Sequence, residues 1–436
     1  MDEWAAAHSE TPGPGARPAA LFSSASVTRQ PPPAQEDGAV DLSSSRAYSL
    51  ALSPQIMYTC SALLSQLVSS RAYRQLEFLA LGSSFVLSQQ PMSPEMTSNS
   101  KPSLTRIPFS REAIFSSTLS ARSKRTLMKF LKFVVSSAES EPASASTKTA
   151  DNQTPVQVAA ASTSTAAAST VLSAHASTPL ATFLASQFSL DPELQSYVLT
   201  LTLDLPLSSR PTASTSSTQP RRPATTVSAG MAALQRHLAS WGQFGPGFAA
   251  VYPKWGGGSE VAQVACRAGA VGGGVYMLGR GVKDVQDDKV GVEDGNDGDE
   301  QDGARQGEGP LLRVVLDDGT VLRTRRLVRG WSSETDAGNA VASETVASDA
   351  GCERIARLVA VVGSPMAELF ESTLEGAPKP AVAVVSFPES TPQGESSIRI
   401  YAFVHSSDTG ECPAGQSKWY SSHFFCSCCP HIPWCL

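Results

Sequence analysis

The run Tyr252–Lys283, YPKWGGGSEVAQVACRAGAVGGGVYMLGRGVK, constrains this chain more than any other stretch. Three glycines at 256–258 and three more at 272–274 bracket a segment free of proline and interrupted only by Gly269, so the spacing predicts turn, helix, turn and strand. On the helix, Val261, Val264, Ala265 and Ala268 share one face, and Glu260, Gln263 and Arg267 share another. The small residues imply close packing on a sheet. The polar face is either solvated or binds something. A glycine-rich loop before a helix can cradle phosphate through backbone N–H groups. Here no Lys-Ser or Lys-Thr comes after it, and Glu260 puts negative charge where an anion would have to sit. No G-x-G-x-x-G fingerprint occurs anywhere in the chain.

The 436 residues suffice for two or three domains and a sizeable core. Charged residues make up 17% and the net charge is −6, with part of that charge in one acidic run, so nothing suggests a nucleic-acid partner. No apolar run reaches the ~18–20 residues of a spanning helix. MDEWAAAHSETPGPG has neither a basic nor an apolar leader region, which predicts no signal peptide. Cys60, Cys266, Cys352 and Cys412 are scattered like reduced intracellular thiols, giving a cytoplasmic expectation.

Residues 1–45 are rich in Pro, Ala and Ser and are expected to be disordered. Ser53-Pro54 reads as a helix start, with Ile56, Cys60, Leu63, Leu64 and Leu67 at helical spacing. Leu76, Phe78 and Ala80 alternate as a strand, Ser84–Leu87 reads as a second short one, and Pro91–Pro108 as a loop. A helix from Ser110 leads into another over Lys124–Val135. There Leu127, Phe130, Leu131 and Val134 form the apolar stripe, and Arg125, Lys129 and Lys132 a solvated face or a contact for an acidic partner. Asp191-Pro192-Glu193 caps a helix striped by Leu194, Tyr197, Val198, Leu201 and Leu205, and Met231, Leu234, Leu238 and Trp241 mark a further one. Residues 124–245 therefore read as a helical domain interrupted by low-complexity insertions at 136–180 and 208–228. It lies between two parts of an α/β domain, 46–123 and 246–420. Within the second part, 284–308 carries ten acidic residues against two basic and is expected to be a solvated loop. Leu311–Leu316, Asp-Asp-Gly and Val321 signal a hairpin. Val359–Val362, Ala381–Phe387 and Ile398–His405 are short β-type runs.

Catalytic constellations find little support. No H-E-x-x-H, G-x-S-x-G or paired CxxC occurs; His237 sits in a helical stripe as a structural residue, and Ser406-Ser407-Asp408 after His405 reads as a turn. The end, 421–436, holds Cys426, Cys428, Cys429 and Cys435, but its spacing fits neither a two-plus-two zinc site nor a prenylation box. It reads as foreign to the fold. No metal or cofactor is expected.

The central run resembles the corresponding block of the Rab escort protein and Rab GDP-dissociation inhibitor family: Tyr-Pro, a glycine-rich turn, Ser-Glu, six residues, Arg, then Gly-Gly-x-Tyr-Met-Leu as a strand. Four further segments agree in order: LSPQIMYTCSALLSQLVSSRAYRQLEFLALGSSFVL, SREAIFSSTLSARSKRTLMKFLKFV, PLATFLASQFSLDPELQSYVLTLTLDL and IRIYAFVHSSDTGECPAGQSKWY. Together they cover about half the chain. The resemblance implies an α/β large domain of the FAD/NAD(P)-binding type, carrying no flavin, with an inserted all-helical domain. It implies a non-enzymatic accessory protein that binds GDP-bound Rab GTPases, serves Rab geranylgeranyltransferase, shelters the geranylgeranyl lipid and meets membranes transiently through Rab. Glu260, Arg267 and Met277 fall on positions implicated in Rab contact, with Gln263 on the same face. Leu127, Phe130, Leu131, Leu194, Tyr197, Val198 and Leu201 would line the lipid pocket or brace the helical core. Residues 1–45 contain neither the strand and G-x-G-x-x-G turn nor the Tyr-Tyr-Gly-Gly segment with which family members begin. The long insertions and SSDTGECPAGQSKWY favour an escort protein over a dissociation inhibitor. A flavin-dependent oxidoreductase of the parent fold and a loose scaffold are the competing readings.

Overall fold

The computed structural model describes residues 25–28, 42–52, 54–88, 103–108, 111–138, 161–203, 225–288, 311–328, 354–372, 374–387 and 399–425. Expectations for most of 1–45, for the low-complexity 139–160 and 208–224, for the acidic 289–308 and for the cysteine-rich end from 426 lie outside these residues, as do Ser53 and Leu205.

Strand β1 (Met57–Tyr58) precedes helix α1 (Ala62–Ser69). The helix therefore does not start at Ser53-Pro54. Met57 and Tyr58 are buried and extended because they pair with Val251 and Ala250, and Ser61 caps α1 by accepting from the Leu64 N–H. Tertiary pairing overrides the local helical spacing of Ile56 and Cys60. Strand β2 (Phe78–Ser88) is one eleven-residue strand where the alternation suggested two. Gly82 lets it pass Pro380, whose Cβ lies 2.5 Å from where a Cβ on Gly82 would be. Pairing changes partner around this point. Phe78–Ala80 run antiparallel to β4 (Ala250–Pro253), whereas Leu81–Val86 run parallel to β9 (Val382–Phe387), with a register shift between Leu81 and Ser84. Strand β3 (Ser103–Arg106) pairs with the outer end of β2, so part of the expected 91–108 loop is a strand.

Helices α2 (Arg111–Ser116), α3 (Ala121–Ala138), α4 (Ala161–His175), α5 (Leu180–Phe188), α6 (Pro192–Thr202) and α7 (Val227–Ser240) come next. Residues 161–175 correct the reading of 136–180 as a loose insertion. Alanine propensity and the apolar positions Ala168, Val171 and Leu172 fold them onto the helical core. The expected cap of α6 is present, with Asp191 Oδ1 accepting from the Leu194 N–H at 2.9 Å. Leu127, Phe130 and Val134 of α3 meet Leu180, Phe183 and Leu184 of α5 and Leu234 of α7.

Helix α8 (Gly258–Val271) comes directly after β4. Strands β5 (Val282–Asp288), β6 (Leu311–Leu316) and β7 (Val321–Thr324) form a separate antiparallel sheet, with Gly319 turning the expected hairpin at φ 87°. Asp284–Asp288 thus belong to a strand rather than a loop. Strands β8 (Arg354–Val362), β9, β10 (Ile400–Ser406) and β11 (Ser417–Phe425) complete the large sheet, ordered β1-β4-β2-β9-β10-β11-β8, with β3 beside β2. Residues 421–425, set apart with the terminal tail, continue β11 against β8, and Ser421 and Ser422 also pair with β10.

The helices dock on this sheet through polar ties. One guanidinium nitrogen of Arg399 lies 3.1 Å from Ser196 Oγ, 3.1 Å from Thr200 Oγ1 and 3.2 Å from Ser386 Oγ. Tyr401 Oη donates to the Leu199 carbonyl at 3.1 Å, and Thr59 Oγ1 donates to the Ser240 carbonyl at 2.5 Å. The fold is thus mixed α/β: the helical cluster meets the sheet face that carries Tyr58, Leu81 and Ala250, while α1 and Val261 of α8 pack on the face that carries Met57, Ala80 and Val251.

Candidate partner-binding face and its buried support

Glycine opens α8 in a position no other residue fills without strain. Gly257 has φ 63°, and a Cβ there would lie 2.5 Å from Tyr252 Oη. From this start Glu260, Gln263 and Arg267 project along one face, as the helical spacing predicts. Glu260 is half-buried, and Gln263 and Arg267 are exposed. Gln263 Nε2 donates to Glu260 Oε1 at 3.0 Å, which orients the carboxylate. Among the described residues neither Glu260 nor Arg267 makes an ion pair. Glu260 borders an open cleft of about 340 Å³ with Arg74, Glu77, Lys254 and Trp255. Lys254 pairs with Glu77 at 2.8 Å and stands 4.8 Å from the Trp255 ring.

The opposite face differs from expectation. Val264 is buried and Val261 half-buried, but Ala265 and Ala268 are exposed, so only the first half of α8 packs inward. The Tyr-Met-Leu segment is not a strand. Gly273 at φ 88° turns the chain, and the Gly274 N–H bonds back to the Gly269 carbonyl at 2.8 Å. Tyr276 then lies against Gly269, where a side chain would overlap its phenol. Val271, Val275 and Leu278 are 85%, 86% and 93% exposed, and Met277 is 50% exposed, continuing the surface beyond the helix.

The helical-core candidates have a different setting. Leu127, Phe130, Leu194, Tyr197, Val198 and Leu201 are buried in the helical cluster, and Leu131 packs partly buried against it. Leu201 also touches a cavity of about 10 Å³ between the helices and the sheet, room for about one water. Burial first, then Glu193, whose carboxylate accepts from the Tyr197 phenol at 2.5 Å, raises the pKa of Tyr197 well above the usual phenol value. His237 is buried at the cluster's edge, its ring 5.8 Å from that of Tyr58, and burial, then the nearby Arg236, lowers its pKa to about 4.

What sequence reading missed lies under α8. Glu411 is fully buried and accepts from Tyr252 Oη at 2.5 Å, from Tyr420 Oη at 2.9 Å and from His405 Nδ1 at 2.9 Å. Burial pushes its carboxyl upward, but the His405 contact and the two phenol hydrogen bonds outweigh that and hold it below the usual carboxylate value. An ionised Glu411 only accepts, so Nδ1 of His405 carries the hydrogen. Burial and the Glu411 charge raise the pKa of Tyr252 and Tyr420, keeping both phenols protonated as donors. Lys418 is buried beside them, with its ammonium on the Ser49 carbonyl; burial lowers its pKa against the pull of Glu411. His405-Ser-Ser-Asp is a turn as expected, with Ser406 capping the short 3₁₀ segment Ser407–Thr409. The available signal was a Glu and a Lys in ECPAGQSKWY, the Glu in the connection between two buried strands and the Lys at the start of the second. Among the described residues no group of three His, Cys, Asp or Glu could hold a metal ion.

No family model matches the chain. Its fold is that of a Rab GDP-dissociation inhibitor: it superposes on the Rab GDI of Plasmodium falciparum with a TM-score of 0.53 at 14% identity, covering 88% of this chain and 69% of that one. In sequence it is similar to the Rab proteins geranylgeranyltransferase component A of Candida albicans, 23% identical over 87% of this chain and 46% of the relative. The component A of Saccharomyces cerevisiae is 23% identical over 87% of this chain and 48% of its own length. Component A 1 of Caenorhabditis elegans is 30% identical over 56% and 39%. The chain spans about half the length, or less, of these curated relatives. The resemblance read from the sequence is borne out at both levels.

Proposed function

We propose that this chain acts as a Rab escort protein, an accessory factor rather than an enzyme. It binds GDP-bound Rab GTPases, presents them to Rab geranylgeranyltransferase and delivers the prenylated Rab to membranes from the cytoplasm. The observation that carries this reading is the similarity to component A proteins over 87% of the chain. The exposed face of α8 supports it. Among the described residues Glu260 and Arg267, seven residues apart, make no ion pair and flank an orienting glutamine, and Met277 and Leu278 extend that surface with apolar area. A mixed polar and apolar patch on a rigid element suits a protein partner. In this reading 46–123 and 246–420 form the platform domain. The helical domain 124–245 contributes the lipid-sheltering part, with Leu127, Phe130, Leu131, Leu194, Tyr197, Val198 and Leu201 as its core. Among the described residues no helix is long and apolar enough to cross a membrane, which fits membrane contact through the lipidated Rab.

The deciding experiment is titration calorimetry of the purified chain against GDP-loaded and GTP-loaded Rab, then prenylation of that Rab by added geranylgeranyltransferase. Preferential binding of the GDP form and chain-dependent prenylation are expected. Binding without support of prenylation would favour a dissociation inhibitor, and no binding would refute the proposal.

A further inference from the structure

Three segments far apart in sequence meet beneath the start of α8, and one buried charge holds them. Tyr252 lies near the end of β4 with its phenol against the Gly257 turn, and the same phenol donates to Glu411. Trp255 sits at φ 79°, a conformation uncommon for a bulky residue. It is kept there by its N–H on the Thr409 carbonyl at 2.8 Å and by a ring lying on Gly410, where any side chain would overlap the indole. Ser49 reaches the same place, its N–H on the Glu411 carbonyl at 3.0 Å and its own carbonyl under Lys418. The loop 407–416 thus grips the turn 252–257 at both ends.

We infer that Glu411 is a positioning residue: through Tyr252 it sets where α8 begins, and so where Glu260, Gln263 and Arg267 stand. Its value for partner binding rests on the reading under Proposed function; its hold on α8 does not. The charges around it are accounted for. His405 and Lys418 face Glu411 from β10 and β11, and Tyr252 and Tyr420 complete the shell. Neutralising Glu411 would leave Lys418 buried without its countercharge and Tyr252 with a weaker acceptor.

The test uses the whole chain and hydrogen exchange. Glu411→Gln is expected to raise exchange of the α8 amides, 261–271, roughly tenfold, while the α6 amides, 195–202, stay unchanged. Tyr252→Phe should raise α8 exchange too, and the double variant should show less than the combined effect of the singles, because both act through one bond. Glu411→Asp, which keeps the charge, should restore part of the protection. Unchanged α8 exchange in Glu411→Gln, an equal rise in α6, or additive effects in the double variant would each overturn the inference. Should Glu411→Gln loosen α8 while the unaltered chain fails to bind GDP-loaded Rab, the positioning role stands and the Rab reading falls.

Discussion

The Tyr252 phenol and the Glu411 carboxylate, 159 residues apart, meet at 2.5 Å in the interior. Both belong to segments that carry the family resemblance, so the bond joins two of those blocks into one support. It also explains Gly257, because the phenol occupies the space a Cβ would need. Gly257→Ala must move Tyr252 and strain a backbone at φ 63°. A loss of about 1–3 kcal/mol is expected, read as a lowered urea midpoint. An unchanged midpoint would show that the turn can relax.

Arg267 is exposed and Glu260 is half-buried at the edge of an open cleft, and neither belongs to a core cluster. Truncating either to Ala is therefore expected to leave the urea midpoint within about 0.5 kcal/mol of the parent. On the proposed function, each truncation weakens GDP-Rab binding by about 1–2 kcal/mol, a loss that only a minority of interface residues reach. Calorimetry on the two single variants checks both halves. A binding loss accompanied by a stability loss would assign these residues to structure instead.

Acid should loosen the fold in two stages. His237 has a folded pKa of about 4, below the ~6.5 of an unfolded histidine, so between these values the unfolded chain takes up the proton and the folded chain does not. Stability is full above about pH 6.5 and falls by up to about 3 kcal/mol as pH drops to about 4. Glu411, held below the usual carboxylate value, adds a second loss as pH falls below the ~4.3 of an unfolded Glu. Urea titrations at stepped pH should show both slopes. His237→Leu should flatten the first and leave the second, and a first slope that survives this change would place the proton elsewhere.

Local signals account for what was legible. Asp191-Pro192 caps a helix with its own side chain, Asp317-Asp318-Gly319 makes a hairpin through one positive φ, and the glycines bracketing α8 mark its ends. Each needs only neighbours in sequence. Strands β1 and β3 escaped because two and four residues carry little periodicity, and they are extended only because β4 and β2 lie beside them. Helix α4 was hidden by a composition shared with loose segments, although alanine is also the best helix former. The Ala265 and Ala268 face reads as buried on a helical wheel, but what covers a face is decided by the rest of the fold, and here only Val261 and Val264 are covered. The shell of Glu411 joins Tyr252 to His405 and Tyr420 of a segment far along the chain, and no spacing rule connects Tyr252 to them.

Arg399 carries the seam between helices and sheet, and its removal distinguishes docking from folding of the helices. Its single nitrogen serves Ser196 and Thr200 on α6 and Ser386 on β9, and Thr200 and Ser386 are fully buried. Arg399→Ala withdraws a charged donor from hydroxyls that water cannot reach easily, at a cost of about 1–3 kcal/mol. Arg399→Lys keeps the charge but replaces a planar fork with a point donor, so it should recover part of that cost. The helices have their own core around Phe130, Phe183 and Leu194, which does not include Arg399. Loss of the seam should therefore raise exchange of the amides at 199–202 first, while α3 amides near Phe130 keep their protection. Equal loss in α3 and α6 would mean that helices and sheet open as one cooperative unit, with Arg399 holding that unit rather than the seam.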